Sequence, residues 1–180
     1  MMKDRRLDLY ATVFEVIDMR SFSNLWYWIA LAVAWSIASH WVLGVPYDLV
    51  HRAARHEGQA QEDLEAIARV SCNRLLSLSE QSGIGLIATT SALLTSLGIL
   101  GFWYGMEFAQ AVFLLLLPMI LVAFLSVRTA GRIRSADLKG KELRDRLGRH
   151  RLAIQIIGMI SIAVTSTWGM FHILSYGVLR

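Results

Sequence analysis

An all-α membrane bundle of four transmembrane helices is expected of this 180-residue chain, on three grounds. Residues 25–43, 84–106, 108–127 and 152–174 contain no Asp, Glu, Lys or Arg, although the chain carries 18 basic and 14 acidic side chains. These runs are 19 to 23 residues long, and about 20 apolar residues of helix cross a ~30 Å hydrocarbon layer. The composition, 55% hydrophobic with a mean hydropathy of +0.47, is too apolar for an ordinary soluble domain. Aromatic side chains also mark the run ends: Trp26, Tyr27 and Trp28 open the first, and His40, Trp41 and Tyr47 close it, as interfacial belts do.

The elements follow in order. Residues 1–24 form a tail in which Tyr10, Val13, Phe14 and Ile17 share one helical face opposite Asp8, Thr12 and Glu15. The amphipathic stretch 8–20 is too short to cross and is expected to lie in the headgroup interface. Ser21, Ser23 and Asn24 offer N-caps for the first span. No short basic region stands immediately before that span, so it reads as retained, not as a cleavable signal. Ala30, Ala34 and Ala38 recur every four residues as a close-packing stripe, and Gly44 and Pro46 stop the helix.

Residues 59–80 place Leu64, Ile67, Ala68, Ser71 and Leu75 on one face, which predicts an amphipathic helix running into the second span. The second and third spans form a hairpin with its turn at Tyr104, Gly105, Met106 and Glu107, where Glu107 is expected in water. A ring of such carboxylates in an oligomer would attract cations. Pro118 removes a backbone donor and should bend the third span. The aromatic sequences ending the second and fourth spans, Phe102–Met106 and Thr167–Phe171, echo one another as interfacial anchors.

Charge sets the orientation. The segment 128–151 holds nine cations (Arg128, Arg132, Arg134, Lys139, Lys141, Arg144, Arg146, Arg149 and Arg151) against Asp137, Glu142 and Asp145. By the positive-inside rule it is cytoplasmic, which puts the 44–83 loop inside and the Glu107 turn and both termini outside. Residues 25–180 then form one membrane domain, because the pieces of 24, 40 and 24 residues outside the spans are each too small for a substantial core. The expected setting is the bacterial inner membrane, which the resemblance described below implies.

Few residues suggest chemistry. Gln155, Gly158, Ser161, Thr165, Gly169 and His172 share a face of the fourth span, and Ser91, Thr95, Gly98, Gly101 and Gly105 line the second. Such stripes pack helices closely, or line a narrow polar path. His40 and His172 fall near opposite faces, so one haem cannot use both. His51 and His56 are off the spacing that places two ligands on one helix face. No phosphate-binding loop or nucleophile elbow is present, and no carboxylate lies within a run. The lone Cys72 forms no intramolecular disulfide and holds no iron–sulfur cluster. No enzyme activity, cofactor or metal is therefore expected. The basic segment suits anionic lipid or a partner, through Arg128, Arg132, Arg134, Arg144, Arg146, Arg149 and Arg151, and needs no nucleic acid.

The segments DLYATVFEVIDMRSFSNLWYWIALAVAWS (8–36), ASHWVLGVPYD (38–48), GMISIAVT (158–165) and WGM (168–170) resemble a family of small alphaproteobacterial membrane proteins. With the basic segment, the resemblance covers most of the chain. Members are commonly labelled a component of the SufBCD complex, the cytosolic iron–sulfur assembly machine. The resemblance implies a partner, and it carries no catalytic motif. The expected function is a non-enzymatic membrane accessory that presents the 44–83 and 128–151 loops, as a homo-oligomer or in a larger complex. A homo-oligomeric channel lined by the second or fourth span is the alternative.

Overall fold

A computed structural model describes residue 22, residues 24–56 and residues 58–177. The stretch 8–20, expected as an interfacial helix, lies outside the described residues. The order is α1 (Leu25–His40), β1 (Trp41–Val42), β2 (Val45–Pro46), α2 (Tyr47–Arg55), α3 (Gln59–Gly98), a π-helical turn (Ile99–Trp103), α4 (Glu107–Ser135) and α5 (Gly140–Gly177). Among the described residues, three helices are long and apolar enough to cross a membrane: Gln59–Trp103, Glu107–Ser135 and Gly140–Ser175.

The first apolar run is helical for 16 residues only, about 24 Å, instead of through residue 43. Asn24 caps its start by accepting from the Trp26 N–H at 3.0 Å. Its end is a β-hairpin that pairs Trp41 with Pro46 and Val42 with Val45. Leu43 and Gly44 form the two-residue turn, both at positive φ (55° and 76°), the hand that matches strand twist. The hairpin buries Val42, Leu43 and Val45 in a core beyond the end of α1. That burial, which a helix continuing to residue 43 would forgo, accounts for the early stop.

The amphipathic helix and the second span are one continuous rod of 45 residues, about 67 Å long. Its inward face is centred on Leu64, Ala68 and Cys72, while Ile67 is rotated outward. The helical hairpin turns after the π-helical turn, with Gly105 at φ +71°. Helix α4 runs through Pro118 without a break.

Two cores result. Leu31 and Trp35 of α1, Val122 of α4 and Ile154 of α5 form one, with Trp28, Leu115, Met119 and Ile157 against it. The other joins the hairpin, α2 (Val50, Ala53), α3 (Leu64, Ala68, Cys72), α4 (Ala130, Ile133) and α5 (Leu143, Leu147). The segments 44–83 and 128–151 are therefore not loops. Each alone is too short for a core, but together they form a packed helical base. By contrast, none of the apolar window of the α3 rod is buried.

Candidate functional site

The base is tied across its elements by polar contacts. The Glu65 carboxylate on α3 accepts from the Gly140 N–H at the start of α5 (2.8 Å) and from the Gln61 amide (2.7 Å). A carboxylate there also complements the positive end of the α5 dipole. Arg144 in turn donates to Gln61. The Gly140 and Gln61 donors hold the Glu65 carboxyl below its ordinary value, and the Asp137 carboxylate, 2.6 Å away, holds Lys139 above its own.

Because Glu65 is depressed in the folded state, its contribution is complete above the unfolded carboxyl value of about 4.3 and is lost as the pH falls through the folded one. Thermal unfolding should therefore show a drop in midpoint below about pH 4.3 that is smaller in Glu65→Gln. An equal drop in the variant would remove Glu65 as its source.

His150 is the buried polar residue that the sequence reading missed. It lies two residues before the apolar run of α5 and is only 4% exposed. Its ring nitrogens lie 3.1 Å from Ser126 Oγ and 3.3 Å from Thr129 Oγ1 on α4. Burial, then the neighbouring Arg146, pushes its pKa down, so the ring is held neutral as a bridge between helices. The signal was available in principle: Ser126, Thr129 and Ile133 share a face of α4, but nothing in sequence pairs that face with residue 150. Next to it, the Arg151 guanidinium stacks on the Tyr47 ring at 3.9 Å, pinning α2 to α5.

Hollows open on the base. A cavity of about 330 Å³ lies between α3 and the α4–α5 turn, with Glu65, Arg69, Asn73 and Arg134 on its walls and Cys72 on its floor. Burial pushes the Cys72 thiol up, so it is a poor nucleophile. A groove of about 630 Å³ lies between α2 and α5. Among the expected contact cations, Arg128, Arg132, Arg134 and Arg149 are exposed, while Arg144, Arg146 and Arg151 are half-buried.

The opposite end carries a polar cap. Glu107 is not a freely hydrated turn residue: its side chain is 13% exposed. Its Oε1 accepts from the Phe22 N–H at 2.7 Å, and its Oε2 lies 3.8 Å from His172 Nδ1. The Trp28 indole donates to the Phe22 carbonyl (3.1 Å), and the Tyr27 hydroxyl donates to the Ala111 carbonyl (3.2 Å). Gln110, 4% exposed, donates to the Gly101 carbonyl at 2.8 Å and accepts from the Trp168 indole at 3.0 Å. Gln110 thereby satisfies a carbonyl at the end of the α3 rod and clamps α4 between that rod and α5. Gln110→Met should strand both partners and cost about 1–3 kcal/mol in thermal unfolding. A change below ~0.5 kcal/mol would contradict the clamp.

The striped residues separate on this frame. Gly158, Ser161, Thr165 and Gly169 are buried on one face of α5. A Cβ at Gly158 would stand 2.8 Å from Trp35, and one at Gly169 would stand 3.2 Å from Phe22. Thr165 lies beside Tyr27. The face is a seam against α1, filled by aromatic side chains, and within one chain it lines no path. Gln155 points away from the seam and is exposed. Ser91 and Thr95 are exposed on α3, Gly98 faces Phe113, Gly101 abuts Gln110, and Gly105 is in the turn. Of the alanine stripe, Ala34 and Ala38 are half-buried and Ala30 faces outward. His40 and His172 stand at opposite ends, beside the hairpin and beside Glu107. Among the described residues no three His, Cys, Asp or Glu side chains converge on a common point.

The chain matches no protein-family model, no curated protein and no solved structure.

Proposed function

We propose that this chain is a non-enzymatic, integral membrane docking protein whose helical base presents a fixed charged surface to a cytosolic partner. The observation that carries this reading is the base core, in which hairpin, α2, α3, α4 and α5 bury Leu64, Leu143 and Leu147 completely. Segments that served only to connect spans and hold positive charge would need no such core. In this reading α1 also spans, which makes four spans with the three long apolar helices. Its Tyr27 stands beside the polar cap and its hairpin enters the base, so α1 and hairpin together reach between the same two ends as α4 and α5. The cationic base faces the cytoplasm of a bacterial inner membrane and both termini face outward, on the positive-inside argument.

The resemblance noted in the sequence makes iron–sulfur assembly subunits the first partners to test. Tagged full-length chain, extracted in mild detergent, should retain a cytosolic partner in stoichiometric amount, and the Leu64→Ala base variant should lose it. Purification of the chain alone, from cells expressing those subunits, would contradict docking to them.

A second reading has one observation in its favour. The exposed Ser91 and Thr95 on a rod whose apolar window is entirely unburied leave α3 open to a second copy of the chain. An oligomer closed around α3 could line a polar path. A symmetric ring with conductance in planar bilayers would support it, and Ser91→Leu should then abolish the current. A monodisperse monomer in nanodiscs would remove this reading.

A further inference from the structure

We propose that the groove between α2 and the start of α5 is a binding site for the phosphate headgroup of an anionic phospholipid. The inference rests on the membrane placement of the chain and is independent of any cytosolic partner.

Position is the first argument. Arg149 on the groove wall is three residues before Leu152, which is 56% exposed and begins the outward apolar surface of α5 that continues through Ile156 and Ile160. Tyr47, at the other wall, directly follows the hairpin whose Trp41 is 52% exposed. The groove therefore opens at the edge of the apolar belt. A bound headgroup there leaves its acyl chains free to run along α5.

Charge is the second. His51, Arg144 and Arg149 converge on the groove from two helices. The Arg149 Nε reaches, among the described residues, the Asp145 carbonyl of its own helix at 3.4 Å, and Arg144 donates to the neutral Gln61 amide. Among the described residues, no carboxylate lies within 4 Å of the charged nitrogens of either arginine or of Arg151. The wall's acidic member, Asp145, can accept from headgroup hydroxyls, which suits a glycerol headgroup better than a bare phosphate.

Shape is the third. Gly148 sits where an added Cβ would be 3.6 Å from the Tyr47 hydroxyl, an ordinary contact, so the Tyr47 side chain spans the groove from α2 to α5. Arg151 stacked on the Tyr47 ring holds that wall in place. The guanidinium fork of each groove arginine matches the oxygens of a phosphodiester.

The test is lipid retention by the full chain in mild detergent, read by native mass spectrometry while phosphatidylglycerol or phosphatidylcholine is titrated. Phosphatidylglycerol should be retained in preference, and its retention should fall about fivefold in Arg149→Gln and again in Arg144→Gln. Lys141→Gln, an exposed cation near the start of α5 outside the groove, should retain it as the parent does. Thermal unfolding of Arg149→Gln without added lipid should match the parent, which separates lost binding from lost fold. Equal retention of both lipids, or an equal loss in Lys141→Gln, would overturn the site. Displacement of the lipid by millimolar inorganic phosphate would also overturn it, in favour of a soluble anion.

Discussion

Gly158→Leu will part α1 from α5 and destabilise the fold by roughly 3 kcal/mol or more, the upper range for forcing methylenes into a filled core. The reason is local. The Cβ alone would meet Trp35 carbons at 2.8, 3.1 and 3.3 Å, and the Trp35 indole is 6% exposed with the rest of the inner core behind it. A flexible side chain end could give way there, but a buried indole cannot. Trp35→Ala empties the place that the leucine needs. The double variant should therefore be less destabilised than the sum of the single ones, with a coupling of about 1–3 kcal/mol. Thermal unfolding in detergent of the four species checks this. Strict additivity would show that Gly158 does not meet Trp35. Oligomeric state should follow unfolding in these variants, because this seam lies within one chain.

Leu147→Ala is expected to cost about 2–5 kcal/mol, the range for removing a buried leucine. Leu147 is fully buried where the hairpin, α2, α3 and α4 meet α5. Its loss should loosen the base as a unit while the inner core of Leu31, Val122 and Ile154 stays packed. Denaturation in detergent should accordingly show an earlier transition for probes in the base than for Trp35. A cost under ~1 kcal/mol would mean that the base contributes little to stability.

The long apolar helices were legible because their signal is one-dimensional: a run without charges has a length, and length decides whether it is long enough to cross a membrane. The continuous α3 rod, the Gly105 turn and the Asn24 cap were legible for a related reason, since each depends on neighbours in sequence. Most of the misreadings concern partners distant in the chain. Val42 and Leu43 look like the end of a span until the base core that receives them is known. Glu107 looks hydrated until Phe22 and His172 are brought to it. His150 looks like one more polar residue in a basic segment until Ser126 and Thr129 close on its ring. The stripe on α5 was recognised as a close-packing face, but its partner was not, because small residues on one helix do not specify which aromatic side chains fill the gap. Size misled in one further way. Two segments too short for a core alone share one, and segment length cannot reveal that they meet.

Hydrogen exchange on the full chain in nanodiscs, parent against Leu64→Ala, addresses the shared base most directly. Amides of α3 over residues 64–76 and of α5 over 143–150 should be protected in the parent. In the variant, protection should fall in both stretches together, because Leu64, Leu143 and Leu147 belong to one cooperative core. Loss confined to α3, with residues 143–150 exchanging as in the parent, would show two independent helical extensions and would contradict the account.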